Sequence, residues 1–546
     1  MTQAKPKPAP PIPPKPKPPR YFPGKVSSFL IIVCLLAIGV TRLSHEAIAR
    51  RAPMFDDAFM NLSTLILGFI AVLTLFLWFV FRSSYPGLVR LLTFLAVPMS
   101  IAVFLFFFEI VEVTGNMLPT FAPRGTKRSD TKLGKLKVVP QPAGIDLAAT
   151  TPNDFPQFLG PNRNNYLPGP KLADDWSATP PKEIWRQKIG AGWSAFSAQN
   201  GYAVTMEQRG DEEWVTCYEV ATGKPVWGHS ILARHFNVLG GAGPRSTPTI
   251  HNGKVYALGA TGVLRCLDGA NGKLLWKDEL FVRYDLEQIP AEEVVMWGRA
   301  GSPLIVDNLV VVPAGGPSAK SKSLIAYDAA TGKVVWEGGE RQVSYASPSI
   351  MTLGGKRQIV IVNEETVTGN DIKTGEELWS HPWPGKSNGP ASSSQAHQIA
   401  KDQLLLSKGY GSGAELISVE LDEGKWKVES LEKNPRVLKT KFTNVTIIGG
   451  YAYGLSDGVL ECVEIATLQP TWKKGRYGHG QVLGVGDKIL VLGEAGELVL
   501  VAADPEEFRE LGKIQALTGK TWNNLCLTGK LLLIRNSEEA ACYELP

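Results

Sequence analysis

The stretch Asp328-Ala-Ala-Thr331-Gly332-Lys333-Val-Val-Trp336 decides the fold, because approximate copies of it recur through the C-terminal three quarters of the chain. Each copy opens on an acidic residue that can bond to its own turn, passes a Thr or Asn, turns on a Gly and ends on a Trp. Glycine takes positive φ there without steric cost. Full copies run from Glu219 to Trp227 (EVATGKPVW), Asp268 to Trp276 (DGANGKLLW) and Asp371 to Trp379 (DIKTGEELW). Worn copies lie at Leu421 to Trp426 (LDEGKW) and Glu464 to Trp472 (EIATLQPTW). Trp227, Trp276, Trp336, Trp379 and Trp472 are therefore read as structural repeat turns. With Trp426 between the last two, they recur at intervals of roughly 40 to 60 residues, the length of a four-strand blade.

Between the turns lie short apolar runs broken by Gly, Asn or Asp. Examples are Lys254 to Leu258, Gly262 to Leu267, Leu309 to Val312, Leu324 to Tyr327 and Gln358 to Val362. Near-continuous apolarity over five or six residues fits strands covered on both faces, as in a blade wedged between two others. The reading is an all-β, eight-bladed β-propeller over 153–546, with blades ending near Trp227, Trp276, Trp336, Trp379, Trp426, Trp472, Leu511 and Pro546. The last block holds three strands, so Lys182 to Lys188 is expected to supply the fourth and remove the free edge. Seven blades is the alternative, because the seventh block has no Trp turn.

Charge divides the chain. Up to Lys137 there are 17 Lys/Arg against 6 Asp/Glu, and beyond it 40 against 46, so the basic part lies toward the N-terminus. Residues 1–25, rich in Pro and Lys, are expected to form an extended, disordered tail. Three apolar stretches follow, Val26 to Val40, Phe59 to Phe81 and Leu91 to Val111, read as three transmembrane α-helices in an anchor over 26–113. Glu109 and Glu112, at the end of the third, are placed at the interface. A cytoplasmic N-terminus puts the propeller outside, in the periplasm of a bacterial inner membrane, although Arg42, Arg50, Arg51 and the basic residues from Arg124 to Lys137 nearly balance that charge rule. Residues 114–152 read as a linker. Cys217, Cys266, Cys462 and Cys542 fall at similar places in different blades and read as small core residues.

The turns resemble the tryptophan-docking repeats of the pyrroloquinoline quinone (PQQ) propeller superfamily, over roughly Asp154 to Pro546. Within it the chain looks like the bacterial PQQ-like propellers related to BamB, a resemblance that implies protein-protein scaffolding. The box from Asp154 to Asn162 and the segment Gly243 to Thr249 resemble a membrane-anchored bacterial subgroup. Quinoprotein dehydrogenases share the blade motif, and some place a multi-span anchor before the propeller; that resemblance would imply PQQ with Ca²⁺ and an Asp base. No vicinal cysteine pair and no Cys-x-x-Cys-His occurs in the sequence, and the resemblance maps no calcium ligand or base onto numbered residues. Catalytic and metal residues are accordingly read as none, and cofactor-binding residues as unknown.

In a propeller the segments leading into each innermost strand converge on one face. Here they bring forward Trp193, Arg245, Ser246, Trp297, Arg299, Tyr345, Ser387, Asn388, Lys441, Phe442, Asn444, His479, Lys520 and Trp522. Such a funnel can stack a planar or sugar ring and hold an anion; the blander reading is turn and interblade contacts. His229, His235 and His251 match no zinc spacing. The insertion from Phe281 to Met296, with Asp285, Glu287, Glu292 and Glu293, reads as a solvated helical loop. No phosphate loop or nucleophile elbow is present. The function read from sequence is a membrane-anchored, non-catalytic binding or scaffold module of the cell envelope. It would bind a protein or envelope ligand and no nucleic acid. The alternatives are a membrane-bound PQQ-dependent sugar or alcohol dehydrogenase and a glycan-binding propeller.

Overall fold

The computed structural model describes residues 18–44, 48, 55–136, 145–289, 291–386, 389 and 391–546; most of the expected N-terminal tail, and Ser387 and Asn388 of the funnel, lie outside the described residues. The chain forms two compact units, Met1–His45 with Met60–Glu109, and Glu46–Phe59 with Ile110–Pro546.

Three helices are long and apolar enough to cross a membrane: α1 (Lys25–Leu43), α2 (Asp57–Arg82) and α3 (Gly87–Phe107). The 19 residues of α1 rise about 28 Å, close to the thickness of a hydrocarbon core. The third helix stops at Phe107, short of the expected Val111, because Phe108–Val113 (FEIVEV) is a strand rich in β-branched residues. Glu109 and Glu112 thus lie past the helix end, and the strand pairs with Pro119–Pro123 as a hairpin.

The second unit is an eight-bladed propeller. Each blade is a four-stranded antiparallel sheet, from Ser197–Gln199 through Pro225–Leu232 in blade 1 to the final sheet in blade 8. That final sheet takes its outer strand from Lys182–Lys188, with Trp185 opposite Cys542, so the two ends of the domain close the ring. Blade 7 gains a fifth strand, Tyr166–Leu167, parallel to its innermost strand.

The Trp turns join one blade to the next. Trp227 Nε1 donates to the Gly269 carbonyl (2.9 Å), Trp336 to Ile372 (2.9 Å), Trp472 to Asp504 (2.8 Å) and Trp185 to Val220 (2.8 Å). The turn glycine has a second reason to be glycine. A Cβ on Gly332, where φ is +71°, would lie 2.5 Å from the Trp276 ring, and one on Gly375 2.3 Å from Trp336. Across the strands each Trp faces a small residue: Cys217 opposite Trp227, Cys266 opposite Trp276, Ala326 opposite Trp336, Gly369 opposite Trp379 and Cys462 opposite Trp472. The register slips by one residue beside each of these pairs, a bulge that adds twist to the outer strand.

Three details depart from the sequence reading. Leu421–Trp426 is the tip of a long hairpin, Gly413–Asp422 with Lys425–Asn434, and Trp379 accordingly bonds to Gln358 of its own blade. The insertion at 281–296 is not merely solvated, since Tyr284, Leu286, Val294 and Val295 are buried in the core between blades 2 and 3. The stretch 114–152 touches the propeller at several points; Asp130 is buried against Arg234, and Ile145 and Leu147 join the core of blades 1 and 2.

Candidate functional site

The segments leading into the innermost strands are tied together around the axis by short polar side chains. Thr247 Oγ1 accepts from Ala195 N (3.3 Å), Ser302 Oγ from Thr247 N (2.9 Å) and Ser347 Oγ from Ser302 N (2.9 Å). Ser344 Oγ accepts from Ser392 N (2.9 Å) and Asn444 Oδ1 from Gln395 N (2.9 Å). Gln481 Nε2 donates to Phe442 O (3.1 Å) and Trp522 O (2.8 Å), and Asn523 Nδ2 to Ser194 O (2.8 Å). Every joint between neighbouring blades is bridged, while Gln395 Oε1, Gln481 Oε1 and Asn523 Oδ1 are buried without a hydrogen-bond partner among the described residues. Asn444 and Ser246 belong to this wall; Ser246 is fully buried and donates to Leu258 O at 2.6 Å. Arg299 is also buried, with its guanidinium on the carbonyls of Pro313, Ala314 and Gly315.

The rear of the axis is crossed by residues 155–167. Phe155 bridges to Ala198, and Pro156 O accepts from Ile250 N (2.8 Å). Arg163 donates to Pro303 O (3.1 Å) and Ser302 O (3.1 Å), while Asn165 donates to Val445 O (3.2 Å). Leu159, Arg163 and Asn165 all take positive φ to thread this path. Burial without a carboxylate partner pushes Arg163 down to about 9.

The opposite, loop face carries a chain of aromatic side chains. Tyr345 lies 5.4 Å from Trp297, Trp193 5.0 Å from Trp522, Trp522 4.8 Å from Phe442, and Phe442 5.6 Å from His479, centroid to centroid. Between Trp297 and Trp193 stand Arg245 and the backbone of Gly240 and Gly241. Arg245 donates to the carbonyls of Gly240 (3.0 Å), Gly241 (2.8 Å) and Gly243, and Trp193 Nε1 donates to Gly240 O at 2.5 Å. Arg245 has no ion-pair partner among the described residues, and burial pushes it down to about 9. Trp297 Nε1 and His235 Nε2 are buried without hydrogen-bond partners among the described residues.

On the blade 6 to 8 side the face is already covered. Gly115 N donates to Glu494 Oε1 (2.8 Å), Asn116 Oδ1 meets His479 Nε2 (2.9 Å), and Lys520 Nζ pairs with Glu112 (3.4 Å) and donates to Val113 O (3.2 Å). Lys520 also stands over the rings of Trp522 (4.4 Å) and Trp193 (5.3 Å). Lys441, 2% exposed, pairs with Asp56 at 2.7 Å. Burial, with the Lys441 ammonium beside it, pushes His479 down to about 4, and burial also holds Lys520 below the usual lysine range.

Of the residues nominated from sequence, Trp193, Arg245, Trp297, Tyr345, His479 and Trp522 line this face. Ser246, Arg299 and Asn444 lie in its wall, and Lys441 is sealed by an ion pair. Phe442 and Lys520, from the funnel segments read in the sequence, stand with Trp522 on this face; sequence reasoning missed Glu494, the loop at Gly240 and Gly241, and the 112–116 tip. No local pattern marks any of them.

A family model for the outer membrane protein assembly factor BamB matches residues 177–280 and 211–474. The chain belongs to that BamB-type, PQQ-like propeller family. Among curated proteins no sequence matches it. Among solved structures, BamB from Moraxella catarrhalis is 14% identical, with a TM-score of 0.47 over 67% of this chain and all of that one. A quinohemoprotein alcohol dehydrogenase from Pseudomonas putida HK5 is 12% identical, TM-score 0.52, covering 72% of this chain and 80% of that one. A europium-containing methanol dehydrogenase is 10% identical, TM-score 0.56, covering 72% and 98%. At such identities the likeness is one of fold.

Whether this BamB-family propeller fits a calcium-bound quinone is tested by its acids. On the loop face Glu494 accepts from Trp522 Nε1 (3.0 Å), Gly115 N and His479 N, Asp457 faces Lys439, and Asp56 and Glu112 face lysines. Glu207 and Glu213 are buried with Arg209 and Arg265. Each of these acids faces a cation or an N–H donor, and no group of three His, Cys, Asp or Glu side chains converges among the described residues. Three carboxylates free to close on a hard, oxygen-seeking divalent cation are therefore not gathered among the described residues.

Proposed function

We propose that this protein is a membrane-anchored binding and scaffold module of the bacterial cell envelope. Its three helices hold it in the inner membrane, and its propeller docks a protein partner in the periplasm through the loop face. One observation carries the reading. The polar side chains around the axis join neighbouring blades, the acids face cations and N–H groups, and the half-buried surface that remains is aromatic and cationic. Trp193, Trp297, Trp522 and Arg245 are the residue types that anchor protein interfaces, and they offer no general base or metal ligand.

The test uses the full chain in detergent, wild type and Trp297→Ala. Partners enriched by the wild type and lost by the folded variant support the reading. Saturable one-to-one binding of PQQ with Ca²⁺, accompanied by dye-linked oxidation of an alcohol or sugar, would replace it with the dehydrogenase reading. Saturable binding of a neutral oligosaccharide that depends on Trp297 would replace it with glycan recognition.

A further inference from the structure

The loop face is already holding a ligand-like segment, and that segment shows what the site takes. The tip Glu112-Val113-Thr114-Gly115-Asn116 runs from the end of the first strand into the turn of the hairpin that follows α3. It is bound as a peptide is bound, by main chain and side chain together. Its Gly115 N–H donates to Glu494, its Val113 carbonyl accepts from Lys520, its Glu112 carboxylate pairs with the same lysine, and its Asn116 amide oxygen meets His479. The fit at Gly115 is close. A Cβ there would lie 2.4 Å from His479 Cδ2 and 3.1 Å from Glu494 Oε1, and His479 is itself buried.

Charge adds a second observation. The propeller's own contribution to this face is Arg245, Lys439, Lys441 and Lys520 against Asp457 and Glu494, an excess of cations. The balancing acids come from outside the blades: Asp56 on Lys441 and Glu112 on Lys520. A lysine held over two tryptophan rings with little exposure gains from any carboxylate placed beside it.

We infer that the blade 6 to 8 sector of the loop face is a binding site for an acidic, glycine-containing peptide turn, and that residues 112–116 are its resident occupant. A partner protein presenting a turn of the same chemistry gains the site by displacing the chain's own tip. The inference rests on the reading of the loop face as the binding face.

The experiment adds a labelled synthetic peptide of residues 110–120 (IVEVTGNMLPT) to the full chain in detergent and reads fluorescence polarisation. A covalently held tip competes at high effective concentration, so the wild type is expected to bind the peptide on the order of 100-fold more weakly than a chain whose tip is evicted. Gly115→Leu evicts it by collision with His479 and Glu494. The Gly115→Leu chain binds the peptide, and adding Lys520→Met, or using a peptide with Gln at the Glu112 position, removes that binding. If Gly115→Leu does not fold, the double variant Glu112→Gln, Asn116→Ala removes the tip's polar contacts without a clash and is expected to bind the peptide likewise. A folded, evicted chain that ignores the peptide overturns the inference, as does free phosphate or glutamate competing as well as the peptide does. A chain that captures a partner but not the peptide loses this inference alone. One that binds the peptide but captures nothing loses the scaffold reading alone.

Discussion

At the rear of the propeller axis residues 155–167 are bound to the backbone of the blades, whereas at the loop face residues 112–116 are held mainly by side chains. Arg163 and Asn165 end on the carbonyls of Ser302, Pro303 and Val445, and Tyr166–Leu167 joins the sheet of blade 7. Glu112, Gly115 and Asn116 end on Lys520, Glu494 and His479. Backbone acceptors have no other role to return to, and a buried carbonyl left alone is costly. Charged side chains beside aromatic rings can be satisfied by a different partner of like chemistry. The rear segment is therefore part of the fold, and the front segment is exchangeable.

That contrast is broken most severely from the rear. Arg163→Ala takes the donor from the buried Ser302 carbonyl, leaves Pro303 O with the Thr249 hydroxyl alone and opens a cavity on the axis, and is expected to cost about 3 kcal/mol or more in a denaturation series. Next in size is the interblade joint. Gly332→Val puts a branched side chain at positive φ against the Trp276 ring, with an expected loss of about 2 kcal/mol or more in the same measurement.

Acid sharpens the comparison further. Burial holds His397, in the innermost strand of blade 5, and His479, under the tip, down to about 4. Both stay neutral in the folded chain while the unfolded chain takes up protons near the ordinary histidine value. Stability is therefore complete above about pH 6.5 and falls as the pH drops toward 4, by about 2 kcal/mol per histidine at pH 5. Gly115→Leu uncovers His479 and is expected to weaken that limb by up to one histidine's share, leaving the share of His397 intact. At neutral pH the same variant is the mildest of the set, with an expected change in unfolding free energy under about 1 kcal/mol.

How much of this was legible in the sequence follows the range of each interaction. The Trp turns and the strands between them have a local grammar, and so does the ring closure by Lys182–Lys188, because a strand pattern without a blade needs a partner. The small residue opposite each Trp, always ten positions upstream in the full copies, was visible as recurring cysteines but not as a contact. The worn copy at Leu421–Trp426 misled because a hairpin tip and a docking turn both want a glycine at positive φ. The end of the third apolar stretch misled because hydropathy does not distinguish Ile110, Val111 and Val113 in a strand from the same residues in a helix. At the loop face, residue types at strand starts identified the aromatic members. They could not separate Arg245, on the surface of the face, from Arg299 in its wall, because only the carbonyls each one meets tell them apart. The tip and the rear segment were illegible for one reason: their partners lie in the blades, from about 40 to about 400 residues along the chain.

Hydrogen exchange on the full chain in detergent, followed by mass spectrometry, tests the contrast between the two ends in one measurement. The expected result is that peptides covering 155–167 exchange only when the whole propeller opens, while those covering 112–118 exchange on the order of 100-fold faster through local release of the tip. Equal protection of the two segments, or independent opening of 155–167, would contradict the account.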